Sequence, residues 1–379
     1  MVRAGRTRGE TLIANETNQA QQLSASWKRS FRRRLLAWFE KHARDLPWRR
    51  SRDPYRVWVS EVMLQQTQVA TVGPYFERFI AAFPTVEALA AADEQQVLRL
   101  WEGLGYYRRA RGLHAAAKVL VTEHSGVLPR DVATLMQLPG IGRYTAGAIA
   151  SIAFDRRAPI LEANTFRLLT RLIAYRGDPT KSAGQRLLWQ VAEEILPNKH
   201  VARFNQALME LGSLVCTPQQ PQCAACPVEA LCGARRLGLA EKLPHVTRKI
   251  QYTEVREAAI VVSKANRILV RQCGAEERWT GLWDFPRFGL VAQGPLFARG
   301  EIAHKVLQQT GIACDLGPAF HTLKHGVTRF RITLECYRAE YVSGRVRSTP
   351  DHPVRWIRPA ELANLPLSVT GRKIALRIA

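Results

Sequence analysis

Residues 138–147 read Leu-Pro-Gly-Ile-Gly-Arg-Tyr-Thr-Ala-Gly, the most informative segment for the structure of the first part of the chain. Two glycines, Gly140 and Gly142, let the backbone turn tightly between two helices. The amides at the start of the second helix can then face a phosphate, with the positive end of the helix dipole behind them. The stretch therefore predicts a helix pair whose turn binds a nucleic-acid backbone.

The sequence around this turn divides into a helical part and an α+β part. Apolar residues recur at helical spacing between about residues 27 and 239, with Gly and Pro between the segments. After about residue 242, short alternating or β-branched runs appear at 258–262, 268–270 and 329–335, with one helix-like stretch at 299–309. We predict a basic mobile tail over 1–27, a helical domain over 28–241, a linker over 242–254 and an α+β domain over 255–379.

Composition limits the class of protein. The 379 residues include 55 Lys+Arg against 32 Asp+Glu, a formal net charge of +23, and 46% are hydrophobic. Such a chain can form packed cores, and its charge favours a polyanionic partner, most simply nucleic acid, although a merely basic protein is the alternative. No run approaches the roughly 18 apolar residues of a membrane span, and the start does not resemble a secretory signal. We expect a monomer in the cytoplasm, near the nucleoid if the source is bacterial.

Four of the seven cysteines, Cys216, Cys223, Cys226 and Cys232, fall close together with the spacing C-x6-C-x2-C-x5-C. Disulfides are disfavoured in a large chain without a signal peptide. Structural zinc is the serious alternative, but zinc sites more often use separated cysteine pairs or mixed Cys/His sets. Four thiolates in one compact loop suit a [4Fe–4S] cluster.

The cysteine spacing resembles the cluster loop of the endonuclease III superfamily of DNA glycosylases, and residues 138–147 resemble its helix–hairpin–helix. Within that superfamily the chain is similar to MutY-type adenine DNA glycosylases, from about residue 32 to the C-terminus. Four segments carry the similarity: Asp45–Arg49 (DLPWR), Val57–Thr67 (VWVSEVMLQQT), Trp101–Tyr107 (WEGLGYY) and Phe204–Gly212 (FNQALMELG). The resemblance implies a mainly α glycosylase fold with a [4Fe–4S] loop and a MutT-like (Nudix-fold) C-terminal domain. It also implies excision of adenine mispaired with 8-oxoguanine or guanine, in base excision repair.

Glu61 is the candidate general acid. It lies in an apolar helical segment, where burial would raise the pKa of its carboxyl and keep a proton available near neutral pH. A helix-surface glutamate is the alternative. The resemblance makes Glu61 the acid that protonates adenine, and it assigns further residues to the adenine pocket and to DNA. The pocket residues are Arg44, Leu46, Trp48, Arg49, Gln65, Gln66 and Glu210, and the DNA contacts are Tyr106, Tyr107, Gly140, Gly142 and Arg143.

Tyr144 separates two reaction classes. Bifunctional relatives have a lysine here, which forms a Schiff base with the sugar and cuts the strand. Tyrosine cannot form that adduct, so the sequence favours a monofunctional, hydrolytic enzyme with Tyr144 packed near the sugar.

Two positions depart from the family pattern. The family's second catalytic carboxylate is an aspartate, whereas this chain has Glu162, followed two residues later by the supporting residue Asn164. The longer side chain either is compensated by the backbone or impairs the reaction, and Glu162 as a simple helix cap is compatible with both. In the C-terminal domain, a Phe-Ser-His tip reads 8-oxoguanine in the family, and Leu323, Lys324 and His325 are aligned with it here.

The candidate Nudix helix, residues 301–310, has a single acid, so we expect no pyrophosphohydrolase activity. The leading hypothesis is a monofunctional adenine glycosylase acting on double-stranded DNA with a mismatch or an oxidised base. The alternative is a DNA-binding paralogue with weak, absent or altered excision.

Overall fold

A computed structural model describes residues 23–247, 251–291 and 295–378, except for the side chains of 295–298. The predicted tail, 1–27, lies mostly outside the described residues, as do residues 248–250 of the predicted linker. The described chain divides into two compact units, one formed by residues up to 90 with 115–247, the other by 91–114 with 251–378. Within the described ranges, no helix is long and apolar enough to cross a membrane.

The first unit is helical, and its core brings distant helices together. Phe31 and Leu35 of the first helix pack with Leu169 and with Phe204 and Leu208. The helices with residues in this unit are α1 (Ala25–His42), α2 (Pro54–Leu64), α3 (Val69–Ala82), α4 (Val86–Ala91), α6 (Arg108–His124), α7 (Val132–Leu135), α8 (Arg143–Phe154), α9 (Ala163–Leu172), α10 (Ser182–Ile195), α11 (Val201–Leu214) and α12 (Gly233–Arg236).

The predicted glycine turn joins α7 to α8. Gly140 has φ +75°, a backbone conformation that favours glycine, and Gly142 is the N-cap of α8. Further along α8, a Cβ on Gly147 would come within 2.4 Å of the Pro159 carbonyl oxygen, so only glycine allows this close approach. The structure confirms the helix–hairpin–helix expected from residues 138–147.

The second unit contains a seven-stranded mixed sheet between two helices. The strand order is β3-β2-β1-β6-β5, with β4 paired to β1 and β7 to β2, and β1 and β6 run parallel. Alternate residues of β1 enter two apolar clusters, one with the helix α13 and one with α14. The elements are α5 (Glu94–Trp101), β1 (Thr253–Lys264), β2 (Arg267–Gln272), β3 (Trp283–Asp284), β4 (Arg287–Gly289), α13 (Pro295–Thr310), β5 (Ile312–Val327), β6 (Phe330–Gly344), β7 (Val354–Ile357) and α14 (Val369–Ile378).

The residues aligned with the family's reading tip lie in a strand of the second unit. Residues Leu323, Lys324 and His325 lie within β5, paired with 334, 333 and 332 of β6. Pairing continues to Val327 opposite Phe330, so the chain reverses only at residues 328 and 329. Leu323 packs against the apolar cluster, whereas Lys324, the next residue along the strand, is exposed.

Candidate active site

The first unit contains a cavity of about 470 Å³, a volume typical of small-molecule sites. The predicted catalytic and adenine-pocket residues all line it: Arg44, Leu46, Trp48, Arg49, Glu61, Gln65, Gln66, Tyr144, Glu162, Asn164 and Glu210. Residues from α11 that the sequence did not single out also contribute, among them Gln206, Met209 and Ser213. These three lie in the segment Phe204–Gly212 or next to it, so the family resemblance of that segment was the signal for them.

Glu61 lies in the last two turns of α2, which Asp53 caps by accepting a hydrogen bond from the Tyr55 amide. The Glu61 residue is 4% exposed, and the Tyr144 hydroxyl donates a 2.5 Å hydrogen bond to its Oε2. Burial raises the pKa of Glu61 to about 7, although the hydrogen bond from Tyr144 acts in the opposite direction. The carboxyl can therefore keep a proton near neutral pH and release it to a ligand.

Glu162 is the N-cap of α9 and lines the cavity as well. Its Oε1 accepts the Thr165 amide and its Oε2 accepts the Asn164 amide, each at 2.8 Å, and the Thr165 hydroxyl accepts the Glu162 amide in return. This capping box fixes the carboxylate against the first turn of the helix. Burial raises the pKa of Glu162 in spite of these hydrogen bonds. The two interpretations from the sequence, cap and cavity carboxylate, hold at the same time.

Glu210 forms a charged wall of the cavity with two arginines. The Arg44 side chain donates to both Glu210 oxygens at 2.8 Å, and Arg49 donates to Oε2 at 2.9 Å. Burial alone would raise the pKa of Glu210, but the hydrogen bonds from Arg44 and Arg49 outweigh it and lower the pKa to about 2. The three side chains thus form a fixed network with both carboxylate oxygens paired.

The chain after α2 is held in a constrained shape beside the cavity. The Gln65 amide group donates to the Thr145 hydroxyl at 3.1 Å, and Gln66 has φ +56°. A left-handed backbone at a long non-glycine side chain persists where the surroundings impose it, and such positions cluster at functional sites. This geometry places two polar side chains at the cavity wall.

The turn before α8 presents backbone to solvent. Gly140, Gly142 and Arg143 are all exposed, which leaves this helix N-terminus accessible to a phosphate. The Arg143 guanidinium lies over the Trp189 ring at 3.9 Å, a cation–π contact that holds its direction.

The four clustered cysteines line one small cavity together with Arg171. The Arg171 guanidinium donates to Cys216 Sγ at 3.3 Å and to the Thr217 carbonyl at 2.7 Å. Burial raises the pKa of the Cys226 thiol to about 12. Among the described residues, no three His, Cys, Asp or Glu side chains are grouped so as to hold a single metal ion.

Arg167 connects the cysteine loop to the cavity. Its Nε donates to the Cys216 carbonyl at 2.7 Å, and its Nη2 donates to Asn164 Oδ1 at 2.9 Å and to the Gly212 carbonyl at 2.7 Å. Asn164 in turn contacts Glu162 through its own amide and side chain. A continuous set of hydrogen bonds therefore joins Glu162 to the backbone of the first cysteine.

The second unit carries the remaining predicted DNA contacts. Tyr106 is 51% exposed and has φ +46°, whereas Tyr107 is buried and its hydroxyl faces the Leu367 carbonyl. Of these two tyrosines, only Tyr106 presents its ring to solvent. His325 is half-buried beside Arg287, and burial lowers its pKa to about 4, so the ring is neutral at physiological pH.

Comparison with known proteins agrees with this fold. Residues 59–194 match the HhH-GPD superfamily of base excision DNA repair proteins, and residues 257–377 match the NUDIX domain. The structure of a thermostable thymine-DNA glycosylase matches with a TM-score of 0.52 and 26% identity, over 58% of this chain and 99% of that one. The class defined is therefore a helix–hairpin–helix base excision repair protein with a Nudix-type domain.

Two relatives define the family more narrowly. Adenine DNA glycosylase from Rattus norvegicus is 36% identical over 407 residues, covering 91% of this chain and 77% of that protein. Adenine DNA glycosylase from Buchnera aphidicola (subspecies Schizaphis graminum) is 37% identical over 259 residues, covering 68% of this chain and 75% of that protein. The chain belongs to the adenine DNA glycosylase family.

Proposed function

We propose that the chain hydrolyses the N-glycosidic bond of adenine mispaired with 8-oxoguanine or guanine in duplex DNA. The observation that carries this proposal is the buried Glu61, with a pKa raised to about 7, in a cavity shared with a second carboxylate and a fixed arginine–glutamate wall. An adenine still stacked in the duplex cannot reach such a cavity, so the base has to leave the helix first.

The carboxyl groups of Glu61 and Glu162 have different roles in the reaction. Tyr144 occupies Oε2 of Glu61, so Oε1 carries the proton that passes to a ring nitrogen of adenine as the glycosidic bond breaks. Glu162, fixed by the capping box, supplies negative charge to the developing oxocarbenium ion of the sugar or orients the attacking water. Asn164 supports Glu162. Tyr144 cannot form a Schiff base with the sugar, so the nucleophile that attacks the anomeric carbon is water and not an amine of the protein.

The charged wall and the polar segment after α2 bind the flipped nucleotide. Arg44, Arg49 and Glu210 keep one side of the cavity rigid, with Leu46 and Trp48 beside them. Gln65 and Gln66 are placed to occupy the space that the base vacates. The exposed Gly140–Arg143 turn binds the phosphate backbone, which contributes affinity without sequence information.

The base opposite adenine is read by the second unit in this proposal. Leu323, Lys324 and His325 lie near the C-terminal end of β5 and remain the candidates for this contact, with the exposed turn residues Thr328 and Arg329 close by in the chain. We propose no pyrophosphohydrolase activity, because Glu301, the sole acid of residues 301–310, is paired with Lys305 at 2.6 Å.

The cysteine loop fits an iron–sulfur cofactor. Cys216, Cys223, Cys226 and Cys232 would hold a [4Fe–4S] cluster, because their four thiols line one common cavity beside the cations of Arg171 and Arg235. The cluster would supply structural support to the loop. Visible absorbance with four irons per chain supports this assignment, and one zinc per chain would contradict it. We propose that the protein acts as a monomer on chromosomal DNA, in the cytoplasm if the source is bacterial.

One assay tests the proposed activity. Purified protein is incubated with duplexes containing A:8-oxoG, A:G or A:C, and strand breaks are measured with and without alkali. We expect breaks only after alkali, and most of them with A:8-oxoG. Breaks without alkali would indicate a lyase, and tight binding without breaks would favour the DNA-binding paralogue.

A further inference from the structure

The turn after α5, residues 102–107, is fastened within the second unit by a buried ion pair. Arg372 of α14 donates to Glu102 Oε1 at 2.6 Å and to Oε2 at 3.0 Å. The Glu102 side chain is 8% exposed and that of Arg372 is 19% exposed. A two-point contact of this kind fixes both the distance and the orientation of the carboxylate.

Backbone groups of the C-terminal segment complete the network. Arg372 also donates to the carbonyl oxygens of Leu362 at 2.6 Å and Leu365 at 2.7 Å. Glu102 Oε2 accepts the Leu367 amide at 3.2 Å. Loss of Arg372 would therefore leave the Glu102 carboxylate with the longer contact to Arg99, at 3.5 Å, and would remove a donor from two carbonyls, which is costly in a largely buried environment.

The other end of the turn is held by Tyr107. Its hydroxyl donates to the Leu367 carbonyl and accepts the Gly103 amide, each at 3.4 Å. Tyr106 lies between these two attachments, exposed and with a left-handed backbone. Such a conformation persists when its neighbours impose it, so the attachments at Glu102 and Tyr107 keep the Tyr106 ring directed to solvent.

We infer that Arg372 is a positioning residue for DNA binding, because through Glu102 it holds Tyr106 in the exposed conformation in which the ring can stack on a base. The inference rests on the proposed function, since Tyr106 matters only if the chain binds DNA. It gives the C-terminal helix a role that is separate from reading the opposite base.

Hydrogen exchange of the whole 379-residue chain tests the attachment without DNA. Arg372→Met and Glu102→Gln should each raise the exchange rate of the amides of residues 103–107 by about 10-fold or more. Arg372→Lys keeps the charge but not the two-point contact, so a smaller increase is expected even if Arg372→Met folds poorly. Glu361→Gln is the matched control, because Glu361 pairs with Arg358 on the surface, with side chains 47% and 74% exposed. Unchanged exchange in both Arg372 variants would overturn the inference.

Binding and excision then test the role of Tyr106. In a Glu61→Gln background that blocks turnover, Arg372→Met should weaken binding to an A:8-oxoG duplex about 10-fold. With Glu61 present, the single-turnover excision rate at saturating protein should stay within about 2-fold. Added to Tyr106→Ala, Arg372→Met should cause no further loss of affinity, and a full additional loss would show that Arg372 does not act through Tyr106. If the parent protein does not prefer the mismatch, the proposed function fails, whereas the exchange result still decides the attachment.

Discussion

The hydroxyl of Tyr144 lies 2.5 Å from Oε2 of Glu61 and donates a hydrogen bond to it. The contact joins the residue after the glycine turn to the buried carboxylate of α2. Burial raises the pKa of Glu61, and this hydrogen bond partly offsets the effect because it stabilises the carboxylate. The pair therefore sets both the acidity of Glu61 and the oxygen that carries its proton.

Tyr144→Phe should shift the pH dependence of excision. Without the hydroxyl, the pKa of Glu61 rises further above its ordinary value, and the acid stays protonated to higher pH. The part of the pH profile in which the single-turnover rate falls with rising pH should move up by about 1 to 2 pH units, since a hydrogen bond to a charged group contributes about 1.5–3 kcal/mol. Tyr55→Phe is the control, because Tyr55 is also buried but donates to the Phe83 carbonyl. If this part of the pH profile stays where it is in the parent protein, the coupling between Tyr144 and Glu61 is contradicted.

Glu61→Gln should remove excision and preserve binding. Glutamine has the same shape but no acidic proton, so the rate should fall by about 100- to 10,000-fold, the range typical of a lost general acid. Affinity for an A:8-oxoG duplex should stay within about 3-fold, measured by gel shift at fixed salt. Excision at the parent rate would exclude Glu61 as the acid.

The same substitution should change stability in a pH-dependent way. The pKa of Glu61 is about 7 in the folded chain against an ordinary 4.5, so the folded state binds this proton more tightly than the unfolded state. The parent protein therefore loses up to about 3 kcal/mol of unfolding free energy from this group as the pH rises from 4.5 through 7. Because glutamine does not titrate, the Glu61→Gln variant does not lose this free energy. Relative to the parent, the variant should gain about 3 kcal/mol between pH 4.5 and 8 in urea unfolding, and an equal difference at both pH values would contradict the shift.

Glu162→Asp tests whether the site is adapted to the longer side chain. Aspartate is a good N-cap, so the unfolding free energy should change by less than about 1 kcal/mol. The carboxylate would retreat by about 1 Å from the cavity, and we expect excision to fall about 10- to 100-fold. Faster excision would show instead that glutamate impairs the reaction. Glu162→Gln keeps the length of the side chain and removes its charge. Comparing its excision rate with that of Glu162→Asp therefore separates the effect of side-chain length from the effect of the charge.

Arg167→Gln should affect the active site and the cysteine loop together. The change removes the Arg167 donor from Asn164 Oδ1 and from the Gly212 and Cys216 carbonyls, at about 1–3 kcal/mol for each acceptor left unpaired, and lowers the melting temperature. Excision should fall even at saturating protein. Arg171→Gln is the matched comparison, because Arg171 contacts the cysteine loop but makes no hydrogen bond to Asn164. Equal losses of excision activity in both variants would show that the activity is lost through the cysteine loop and not through the contact between Arg167 and Asn164.

Local pattern in the sequence was sufficient for much of the site. The glycine turn of residues 138–147, the carboxylate of Glu61 in an apolar helix and the four-cysteine spacing each depend on neighbours within a few turns of chain. The resemblance then brought Arg44, Arg49 and Glu210 together, and the structure places all three on one cavity wall. The local pattern did not single out the cavity residues Gln206, Met209 and Ser213. Only the three-dimensional structure shows which face of the mostly buried helix α11 lines the cavity.

Two features were decided by tertiary structure alone. The position of Lys324 within β5 follows from the register of its pairing with β6, and alternation of side chains does not show where such a hairpin turns. The Glu102–Arg372 pair joins residues 270 positions apart, so no local pattern could predict it. Short segments were enough to indicate the class of chemistry, because the buried acid and the predicted phosphate-binding turn each depend on a few neighbouring residues. Only the three-dimensional packing sets which side chains are buried and paired and which are exposed, because burial and pairing depend on segments that are distant in the chain.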